Sequence, residues 1–431
     1  MSMTSKEKSE LQKEIVDYVG SMPHGRLLLA PRIGKTKLVI DIIKRDKPDS
    51  ILWVTPSVKL AQEDIPEEFV KWKAKRFIDK LKTCTYDSLH KMKGYYEVII
   101  MDEDQHLTEN NAINLLNDTL VYTNIISMTG TSTKHNDKLN LYKKLKLPIL
   151  YDLSINEAVD IGLLANYQIN VLKIEPDKTK MKKYNQMQYL IDKNVIGTAS
   201  INPQKTKLVI TGQKAAELTI QKGESKYGGE LFTVFGKLGS IGYAVITDKG
   251  ELKGKLRTND GVNYQISDGV LHYPIKANLL IGRSRALGVS ELKTEIAKNL
   301  IEKLEGRKLM FCTTTEQSSQ ISDYTYHSKT DNRFLREFQG EMIDHIVMVN
   351  KGGTGFTYKR LDHLIIVQCD SDKNGLTSQK ICRTLLSQED YIATVWLLCV
   401  KDTRDEVWVE STLESFDKSK VNYIDYETFN T

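Results

Sequence analysis

The stretch RLLLAPRIGKTKLVIDII, residues 26–43, joins an apolar run to a helical pattern through a loop that ends in Gly34-Lys35-Thr36. A short buried strand, a loop and an amphipathic helix in this order are the basic unit of an α/β domain. The loop fits the pattern G-x-x-x-x-G-K-[ST] only in part, because Leu29 stands where that pattern has its first glycine. The stretch therefore predicts the fold class, whereas the role of its loop depends on the rest of the chain.

The alternation of strands and helices continues through residues 1–165 and starts again after about residue 290. Short runs rich in Ile, Val and Leu that end in polar or small residues are typical of buried parallel strands, whose carboxyl ends bind ligands. The candidate strands of the first series are residues 26–30, 51–56, 82–86, 96–103 and 124–130. Those of the second series are residues 308–315, 345–357, 363–370 and 393–400. We therefore predict two α/β lobes with parallel sheets, in residues 1–165 and 289–431.

Residues 196–288 differ from both lobes in composition. They hold 14 of the 26 glycines and consist of short strand-like runs joined by glycine-bearing turns. They also carry 13 Lys and Arg residues against 7 Asp and Glu residues, in a chain of net charge +5. We predict a β-rich inserted domain, preceded by a connecting helical segment at residues 166–195. The basic excess favours a polyanionic partner, and the alternative is a lysine-rich solvated surface.

The bulk composition is that of an ordinary globular protein. Hydrophobic residues make up 40% and charged residues 27% of the 431 positions, a length that predicts two or three domains. The longest apolar runs reach about 8 residues, well short of the roughly 18 that a membrane span needs, and the N-terminal stretch is too polar for a secretion signal. Five widely spaced cysteines without a C-x-x-C pair argue against disulfides and zinc. We expect a cytoplasmic protein without a membrane partner.

The loop that ends in Lys35 has the sequence context that phosphate binding requires. Backbone N–H groups at the start of a helix attract phosphates. In such a loop, Lys35 would neutralise the β- and γ-phosphate oxygens, and the Thr36 hydroxyl would hold Mg²⁺. A G-K-T tripeptide also occurs in ordinary surface loops, so on this motif alone that alternative stays open.

Two adjacent carboxylates end another apolar run. In EVIIMDEDQH, residues 97–106, Asp102 and Glu103 follow a strand-like segment. Such neighbours repel each other, and a bound Mg²⁺ explains the pair: Asp102 would bind the ion, and Glu103 would orient and deprotonate an attacking water. The alternative is that Asp-Glu begins a surface turn. The occurrence of both motifs at strand ends favours a nucleotide site.

With these motifs in order, the chain resembles the superfamily 2 helicases and translocases over nearly its whole length except the insert. DEDQ, residues 102–105, stands where that family has a D-E-x-H or D-E-x-Q box. The resemblance implies an α/β fold of two RecA-like lobes with parallel sheets, and a β-rich domain inserted between them. It also implies ATP and Mg²⁺ as cofactors.

The resemblance implies roles for further residues of the first lobe. Gln12 would read the adenine, while Arg32 and Gly34 would shape the phosphate loop. Gln105 would link the nucleotide site to the second lobe. SMTGTS, residues 127–132, resembles the family's coupling motif through Thr129, Gly130 and Thr131.

In the second lobe, two stretches resemble the nucleotide-contacting motifs of the family. NKGGTGFT, residues 350–357, matches the glycine-bearing motif and implies nucleotide contacts by Gly355 and Thr357. QKICRTL, residues 379–385, matches the last motif, with Gln379 at its start and Arg383 at the arginine-finger position. Such a finger is worth about 10³–10⁵ in rate.

The nucleic-acid contacts implied by the resemblance lie in four stretches, residues 54–62, 84–89, 310–317 and 350–357. They would touch the backbone of one strand rather than its bases. The implied contact residues are Thr55, Pro56, Ser57, Thr85, Tyr86, Thr313 and Thr354.

The sequence departs from the family pattern at both ends of the nucleotide site. Arg32 replaces a glycine of the phosphate loop, although Gly34 and Lys35 remain. In the last motif, Cys382 replaces a glycine and Leu386 stands at the second arginine position. We expect these changes to slow ATP hydrolysis more than they weaken ATP binding.

The resemblance implies an ATP-dependent helicase or translocase that moves along a nucleic-acid strand as a monomer. A two-lobe frame with an insert between the lobes also resembles phage-encoded helicases that remodel forks and junctions. We therefore expect single-stranded and branched DNA as partners and, for a phage protein, the host cytoplasm as its location. The alternatives are an RNA helicase, the motor subunit of a restriction system, and a weakly hydrolysing ATP-gated nucleic-acid clamp.

Overall fold

The computed structural model describes most of the chain as two compact units. The residues described are 3–130, 136–192, 195–212, 216–223, 229–236, 239–248, 250–257, 263–272, 277–349, 361–370, 376–382, 384–385 and 391–430. One unit comprises Met1–Pro176 and Lys293–Thr431, and the other comprises Asp177–Leu292. The first unit holds two parallel sheets, which we call lobe 1 and lobe 2 after the order in which most of their strands occur.

Lobe 1 is built on a six-stranded parallel sheet of order β3-β2-β4-β5-β1-β6. Its strands are β1 (Gly25–Leu29), β2 (Ile51–Thr55), β3 (Leu81–Thr85), β4 (Gly94–Asp102), β5 (Leu120–Thr129) and β6 (Ile149–Leu153). Its helices are α1 (Ser5–Tyr18), α2 (Lys35–Asp46), α3 (Ile65–Lys71), α4 (Glu109–Leu115), α5 (Asn136–Lys144) and α6 (Ile155–Asp160). Strands β1 and β2 are buried along their whole length, as expected of parallel strands covered by helices on both faces.

An aromatic contact in the core of lobe 1 packs strand β2 against helix α3. Trp53 on β2 is fully buried and meets Phe69 of α3 edge-on, with ring centroids 5.8 Å apart. The remaining turns of the lobe are short. They are a π turn at Leu60–Asp64 and 3-10 turns at Lys75–Lys80, Tyr86–Lys91 and Asp104–His106.

The second unit contains a closed antiparallel barrel of eight strands. Lobe 1 is followed along the chain by β7 (Asn166–Ile174) and α7 (Lys182–Asp192). The barrel strands are β8 (Val195–Ile201), β9 (Lys207–Gly212), β10 (Ala216–Gly223), β11 (Glu230–Gly236), β12 (Gly239–Ile246), β13 (Leu252–Arg257), β14 (Asn263–Ser267) and β15 (Val270–His272). The order β10-β11-β12-β13-β14-β15-β8-β9 closes the barrel.

Alternating side chains fill this barrel, as small barrels require. Phe232, Val234 and Ala244 are fully buried inside it. Gly254 is needed where two strands approach closely, because a Cβ there would lie 2.4 Å from the Tyr243 carbonyl oxygen. A β-rich insert is therefore confirmed. Its predicted extent differs from the structure, because helix α8 (Ala277–Gly288) follows β15 and packs against α7.

Lobe 2 is built on a seven-stranded parallel sheet of order β17-β18-β16-β19-β20-β7-β21. The further strands are β16 (Lys308–Cys312), β17 (Thr325–Tyr326), β18 (His345–Val349), β19 (His363–Ile366), β20 (Ile392–Val400) and β21 (Val421–Asp425). The helices are α9 (Glu291–Lys303), α10 (Thr315–Ile321), α11 (Arg333–Gln339), α12 (Leu376–Cys382), α13 (Arg404–Leu413) and α14 (Tyr426–Asn430), with a 3-10 turn at Lys418–Lys420. Of the helices that the structure describes, none has the length and apolarity needed to span a membrane.

The prediction of a helical connection at residues 166–195 is wrong for its first part. Residues 166–174 form β7, which pairs in parallel with β20 along nine residues and with β21 on its other side. Lobe 2 is therefore assembled from two distant pieces of the chain. The physical reason for the error is that β7 completes a sheet whose other strands lie beyond the insert, so no neighbouring strand in the sequence reveals it.

One buried ion pair holds the carboxyl ends of two lobe 2 strands. Lys293 Nζ lies 2.6 Å from Asp405 Oδ2, and neither side chain is exposed. Lys293 also donates to the Val367 carbonyl at 2.9 Å and to Gln368 Oε1 at 2.8 Å. Asp405 accepts from the Val400 amide at 3.1 Å. Because each buried charge has several partners, the end of β20 and the segment after β19 are fixed relative to α9 and α13.

Candidate functional site

The loop between β1 and α2 has a backbone that only certain residues adopt easily. Arg32 has φ +70° and Gly34 has φ +87°, so two of its five residues lie in the left-handed region. The chain then turns directly into α2, whose first N–H groups have no carbonyl partner within the helix. Lys35 and Thr36 are the first two residues of that helix. This geometry leaves a row of backbone donors beside a lysine, which suits an anionic group.

Gln12 forms a hydrogen bond with the backbone of this loop. Its Nε2 donates to the Ile33 carbonyl at 2.5 Å, and its side chain is buried. A Cβ built on Gly34 would lie 2.6 Å from the same nitrogen. In this structure the predicted adenine-reading residue therefore contacts the loop between β1 and α2, and its role toward a base stays a prediction.

Lys35 reaches across the sheet edge to the acidic pair. Its Nζ lies 2.8 Å from Glu103 Oε1, with both side chains largely shielded from solvent. Gly130 allows this approach, because a Cβ at that position would lie 3.2 Å from the Lys35 ammonium. Glu103 follows β4 with φ +52°, a left-handed conformation that turns its side chain away from the path of the strand. The three predicted residues Lys35, Glu103 and Gly130 are thus brought together.

The two adjacent carboxyl groups differ in their preference for a proton. Burial raises the pKa of Asp102 to about 7, and the neighbouring charge of Glu103 adds to the shift. Burial also opposes ionisation of Glu103, but the Lys35 charge and hydrogen bonds from Lys35 and Gln105 hold the pKa of Glu103 below its ordinary value. Glu103 is therefore the ionised member near neutral pH, while Asp102 is the one that a cation would help to ionise.

Glu103 is also the centre of a hydrogen-bond network that includes the second lobe. Its Oε2 accepts from Gln105 Nε2 at 3.0 Å and from Gln379 Nε2, on α12 of lobe 2, also at 3.0 Å. Gln105 Oε1 in turn accepts from the Thr129 hydroxyl at 2.7 Å. The network runs from the end of β5, through the acidic motif, to α12. The predicted residues Gln105, Thr129 and Gln379 are therefore connected through Glu103.

The third acid of the motif, Asp104, was not among the predicted site residues. It is fully buried and accepts from Arg26 Nε at 3.0 Å, from the Tyr142 hydroxyl at 2.9 Å and from the Ser127 hydroxyl. The Arg26 guanidinium also stacks on the Tyr142 ring at 3.5 Å. Arg26 could have pointed to Asp104 in the sequence, because an arginine in a buried strand needs an acidic partner for its charge. Asp104 therefore anchors the motif within the lobe and leaves Glu103 for the site.

His106 and Lys138 complete the surroundings of the motif. Burial lowers the pKa of His106, although the charge of Glu103 acts in the opposite direction. The Lys138 ammonium donates to the backbone carbonyls of Gln105 and Leu107, which fixes the turn after the motif. No sequence pattern pointed to Lys138, because its partners are carbonyl oxygens.

The predicted nucleic-acid contacts of lobe 1 lie at the carboxyl ends of two neighbouring strands. Thr55 and Thr85 are register partners at the ends of β2 and β3. The Thr55 side chain is buried and its hydroxyl hydrogen-bonds with the backbone of Ser57 at 3.3 Å, so it shapes the turn rather than facing solvent. Pro56 is half-buried, whereas Ser57 is exposed. Thr85 is half-buried as well, so Ser57 is the one exposed side chain among these four residues.

The prediction that Tyr86 contacts nucleic acid is contradicted by its burial. Its ring lies in the lobe 1 core and its hydroxyl donates to the Asp102 carbonyl at 2.9 Å. Asn111 Nδ2 donates to the Tyr86 carbonyl at 2.7 Å. Tyr86 therefore supports the end of β4 and with it the acidic motif. The resemblance of residues 84–89 to a backbone-contacting motif suggested an accessible side chain, but Tyr86 lies on an inward-facing position.

The predicted residues of lobe 2 are described only in part. Thr313 directly follows β16, and its hydroxyl is buried without a hydrogen-bond partner among the described residues. Gln379 lies on α12, as given above. Other predicted residues lie outside the described part of the chain, and so does one predicted residue of lobe 1. They are Thr354, Gly355, Thr357 and Arg383 in lobe 2, and Thr131 in lobe 1.

The sequence matches no known protein-family model and no curated protein sequence. Its fold does resemble solved structures. The ATP-dependent Type ISP restriction-modification enzyme LlaBIII bound to DNA matches over 98% of this chain and 31% of that chain, with 12% identity and a TM-score of 0.52. The Hef helicase domain of Pyrococcus furiosus matches over 94% and 97%, with 12% identity and a TM-score of 0.47. Dbp5 of S. cerevisiae bound to RNA and ADP BeF3 matches over 98% and 90%, with 9% identity and a TM-score of 0.49.

The similarity to LlaBIII, of which this chain spans 31%, concerns the fold. Together with the two parallel sheets and the barrel that lies between them in sequence, it defines an α/β protein of two RecA-like lobes with a β-rich insert. The predicted fold class is confirmed.

Proposed function

We propose that the protein is an ATP-dependent helicase or translocase that moves along DNA as a monomer and remodels branched DNA. The observation that carries the proposal is the position of Glu103. It contacts Lys35 of the phosphate loop at 2.8 Å and Gln379 of lobe 2 at 3.0 Å. A carboxylate that contacts both lobes has its full set of hydrogen bonds only when the lobes are closed. Coupling of hydrolysis to movement requires such a dependence.

The residues present fit a magnesium nucleotide. Mg²⁺ is usually held by one or two carboxylates together with substrate phosphates. Asp102 would supply the carboxylate and Thr36 a hydroxyl, while the amides at the start of α2 and the Lys35 ammonium would hold the phosphates. When bound, ATP supplies the phosphoanhydride bond whose hydrolysis releases free energy. Glu103 then orients a water and accepts its proton, and Lys35 exchanges its bond with Glu103 for one with a phosphate oxygen.

The nucleic-acid strand would lie across the carboxyl ends of both sheets. Ser57 is exposed and Thr85 is half-buried at neighbouring strand ends of lobe 1, and Thr313 follows β16 of lobe 2. Contacts to phosphates carry no base sequence, so we expect binding that is largely nonspecific and weakens as salt rises. Relative movement of the lobes during each ATP cycle would then advance the strand.

One other function has a specific observation in its favour. Arg32 occupies a left-handed position of the phosphate loop, where a glycine would adopt that backbone without strain. A loop whose backbone is strained in this way suits a clamp that binds ATP and nucleic acid but hydrolyses slowly. An RNA helicase and the motor of a restriction system are distinguished from our proposal by substrate and by partner subunits rather than by the site.

The test is ATP hydrolysis without nucleic acid and with single-stranded DNA, duplex DNA, a fork, a four-way junction or single-stranded RNA. Lys35→Ala and Glu103→Gln serve as inactive controls. Strong stimulation by forks and junctions, lost in both controls, would support the branched-DNA motor. Equal or greater stimulation by RNA would favour the RNA helicase, and binding without stimulated hydrolysis would favour the clamp.

Gly34→Ala is expected to weaken ATP binding in addition to straining the loop. The left-handed backbone costs a non-glycine residue about 1–2 kcal/mol, and the new Cβ would lie 2.6 Å from Gln12 Nε2. Gly20→Ala is the matched control, because Gly20 has φ +69° and open space around it. Titration with a nonhydrolysable ATP analogue should show weaker binding for Gly34→Ala alone. Equal affinities in the two variants would contradict a role of Gln12 in shaping the loop.

Gln379→Ala is expected to slow nucleic-acid-stimulated hydrolysis by roughly 10- to 100-fold, because hydrogen bonds to charged groups contribute about 1.5–3 kcal/mol. The affinity for ATP should change little, since the contact joins lobe 2 to Glu103 and not to the phosphate loop. Gln379→Glu has nearly the same shape but faces a second carboxylate, so it should be slower still. Steady-state kcat and KM for ATP check this, and an unchanged kcat in both variants would exclude Gln379 from coupling.

A further inference from the structure

We propose that the outer face of barrel strands β12–β14 binds single-stranded nucleic acid. We call this surface the β13 stripe and define it by Tyr243, Lys255, Arg257, Asn263 and Gln265. The inference rests on the proposed action on nucleic acid and assigns a second contact surface that lies outside the two lobes. It names a binding site for one strand on the insert, whereas the proposed function requires only contacts at the carboxyl ends of the lobe sheets.

The strand register brings these side chains onto one face. Tyr243 on β12 is the partner of Lys255 on β13, which is in turn the partner of Gln265 on β14. Arg257 and Asn263 form the next pair along the same two strands. Since side chains two residues apart on a strand share a face, Lys255 and Arg257 both point outward, and both are exposed. The five side chains surround a groove of about 470 Å³, and none of the described residues that line it is acidic.

The stripe differs from the rest of the barrel surface in how its charges are compensated. Several exposed barrel lysines are neutralised by nearby glutamates. These pairs are Lys205 and Lys222 with Glu230, Lys207 with Glu217, and Lys253 with Glu251. Among the described residues, Lys255 and Arg257 form no ion pair. The positive charge of the groove is therefore available to an anionic ligand.

The chemistry of the stripe fits a nucleic-acid strand better than other anions. Tyr243 is 42% exposed and presents a ring on which a base can stack. Asn263 and Gln265 offer both donors and acceptors to base edges. Lys255 and Arg257 are roughly 7 Å apart along the strand, a spacing comparable to that of successive phosphates on an extended strand. A duplex would hide its base faces from Tyr243, so a single strand is the ligand that uses every group.

The test measures binding of a fluorescein-labelled oligothymidylate to the full chain without nucleotide, by fluorescence anisotropy at several salt concentrations. Tyr243→Ala should weaken binding by roughly 5- to 150-fold, as expected for one stacked base, and Tyr243→Phe should restore it. Lys255→Ala and Arg257→Ala should each reduce the slope of log K against log salt by about 0.7. Lys253→Ala is the matched control, since it lies on the same strand and face but pairs with Glu251, and it should leave affinity and slope unchanged.

The outcomes separate this inference from the proposed function. If the stripe variants bind the oligothymidylate as the original protein does while DNA still stimulates hydrolysis, the stripe is not a nucleic-acid site and the motor proposal stands. If the variants lose affinity but no nucleic acid stimulates hydrolysis, the β13 stripe is supported as a nucleic-acid site and the motor proposal fails. A loss of duplex binding that exceeds the loss of single-strand binding would overturn the assignment to a single strand.

Discussion

Glu103→Gln should lower kcat for ATP hydrolysis by about 10²–10⁴-fold, the usual contribution of a positioned general base, while ATP still binds. Glutamine has the shape of glutamate, and its single side-chain oxygen can still accept a hydrogen bond from Lys35 or from Gln105, so the turn at φ +52° should persist. It cannot accept a proton from water. The affinity for ATP should stay the same or rise, because Lys35 no longer has to leave a charged partner at 2.8 Å to reach a phosphate.

Two measurements check this expectation. Phosphate release at saturating DNA gives kcat, and titration with a nonhydrolysable ATP analogue gives the dissociation constant. Glu109→Gln is the control for loss of one carboxylate, because Glu109 is exposed and its ion pair with Lys144 is long, at 3.5 Å. A kcat for Glu103→Gln close to that of the control would show that another group activates the water. Asp102 would then be the next candidate.

The two lobe sheets were largely predictable because their central strands are continuous apolar runs. Each of the five candidate strands of lobe 1 coincides with an observed strand to within a few residues. The strands that were missed are different in kind. Strands β6 and β21 lie at sheet edges, and the solvent-exposed positions among their side chains break the apolar pattern. Strand β7 was missed because its partner β20 lies more than two hundred residues away along the chain.

The barrel shows a second limit of sequence patterns. Short alternating strands such as LKGKLR, residues 252–257, were recognisable as β structure. Closure was not, because it depends on β8 pairing with both β9 and β15, so that the first and last strands meet. Such long-range pairing leaves no trace in local composition.

In the site, the residues that could be predicted are those whose type is fixed by chemistry. A lysine after a strand and an acid after another meet at one sheet edge because parallel strands end together, and Lys35 and Glu103 do so. Tyr86 was assigned to nucleic acid because residues 84–89 resemble a backbone-contacting motif, and such a resemblance does not reveal that the ring is buried. Asp104 was overlooked because three successive acids look alike in sequence, although their environments differ completely.

The difference between these acids leads to a second large expected effect. Asp104→Ala should lower the free energy of unfolding of lobe 1 by about 3–5 kcal/mol, the usual cost of breaking a buried ion pair from one side. The change leaves the Arg26 guanidinium buried and uncompensated, with a side chain that is only 4% exposed. It also removes the acceptor of the Ser127 and Tyr142 hydroxyls. These three partners lie on β1, on β5 and on α5, so the loss should be felt across the sheet.

Hydrogen exchange of the amides in β1, β4 and β5 can measure this loss within one lobe of a multi-domain protein. The slowest amides of these strands should exchange roughly 10²–10⁴-fold faster, since each 1.4 kcal/mol corresponds to a factor of ten. Exchange in the barrel should not change. Glu103→Gln, one residue away, is the matched control and should leave protection intact, because Glu103 lies at the site edge and not in the Arg26 network.

Adding Arg26→Met to Asp104→Ala should recover part of the lost stability, because the double change removes the orphaned charge instead of leaving it buried. Recovery would remain incomplete, since the Ser127 and Tyr142 hydroxyls still lack their acceptor. If Asp104→Ala left the slow amides protected, the buried pair would be dispensable and the motif would need another anchor. If Asp104→Ala destabilised the lobe while Glu103→Gln did not, the two carboxylates would have different roles. Asp104 would stabilise the turn, and Glu103 would act on the substrate.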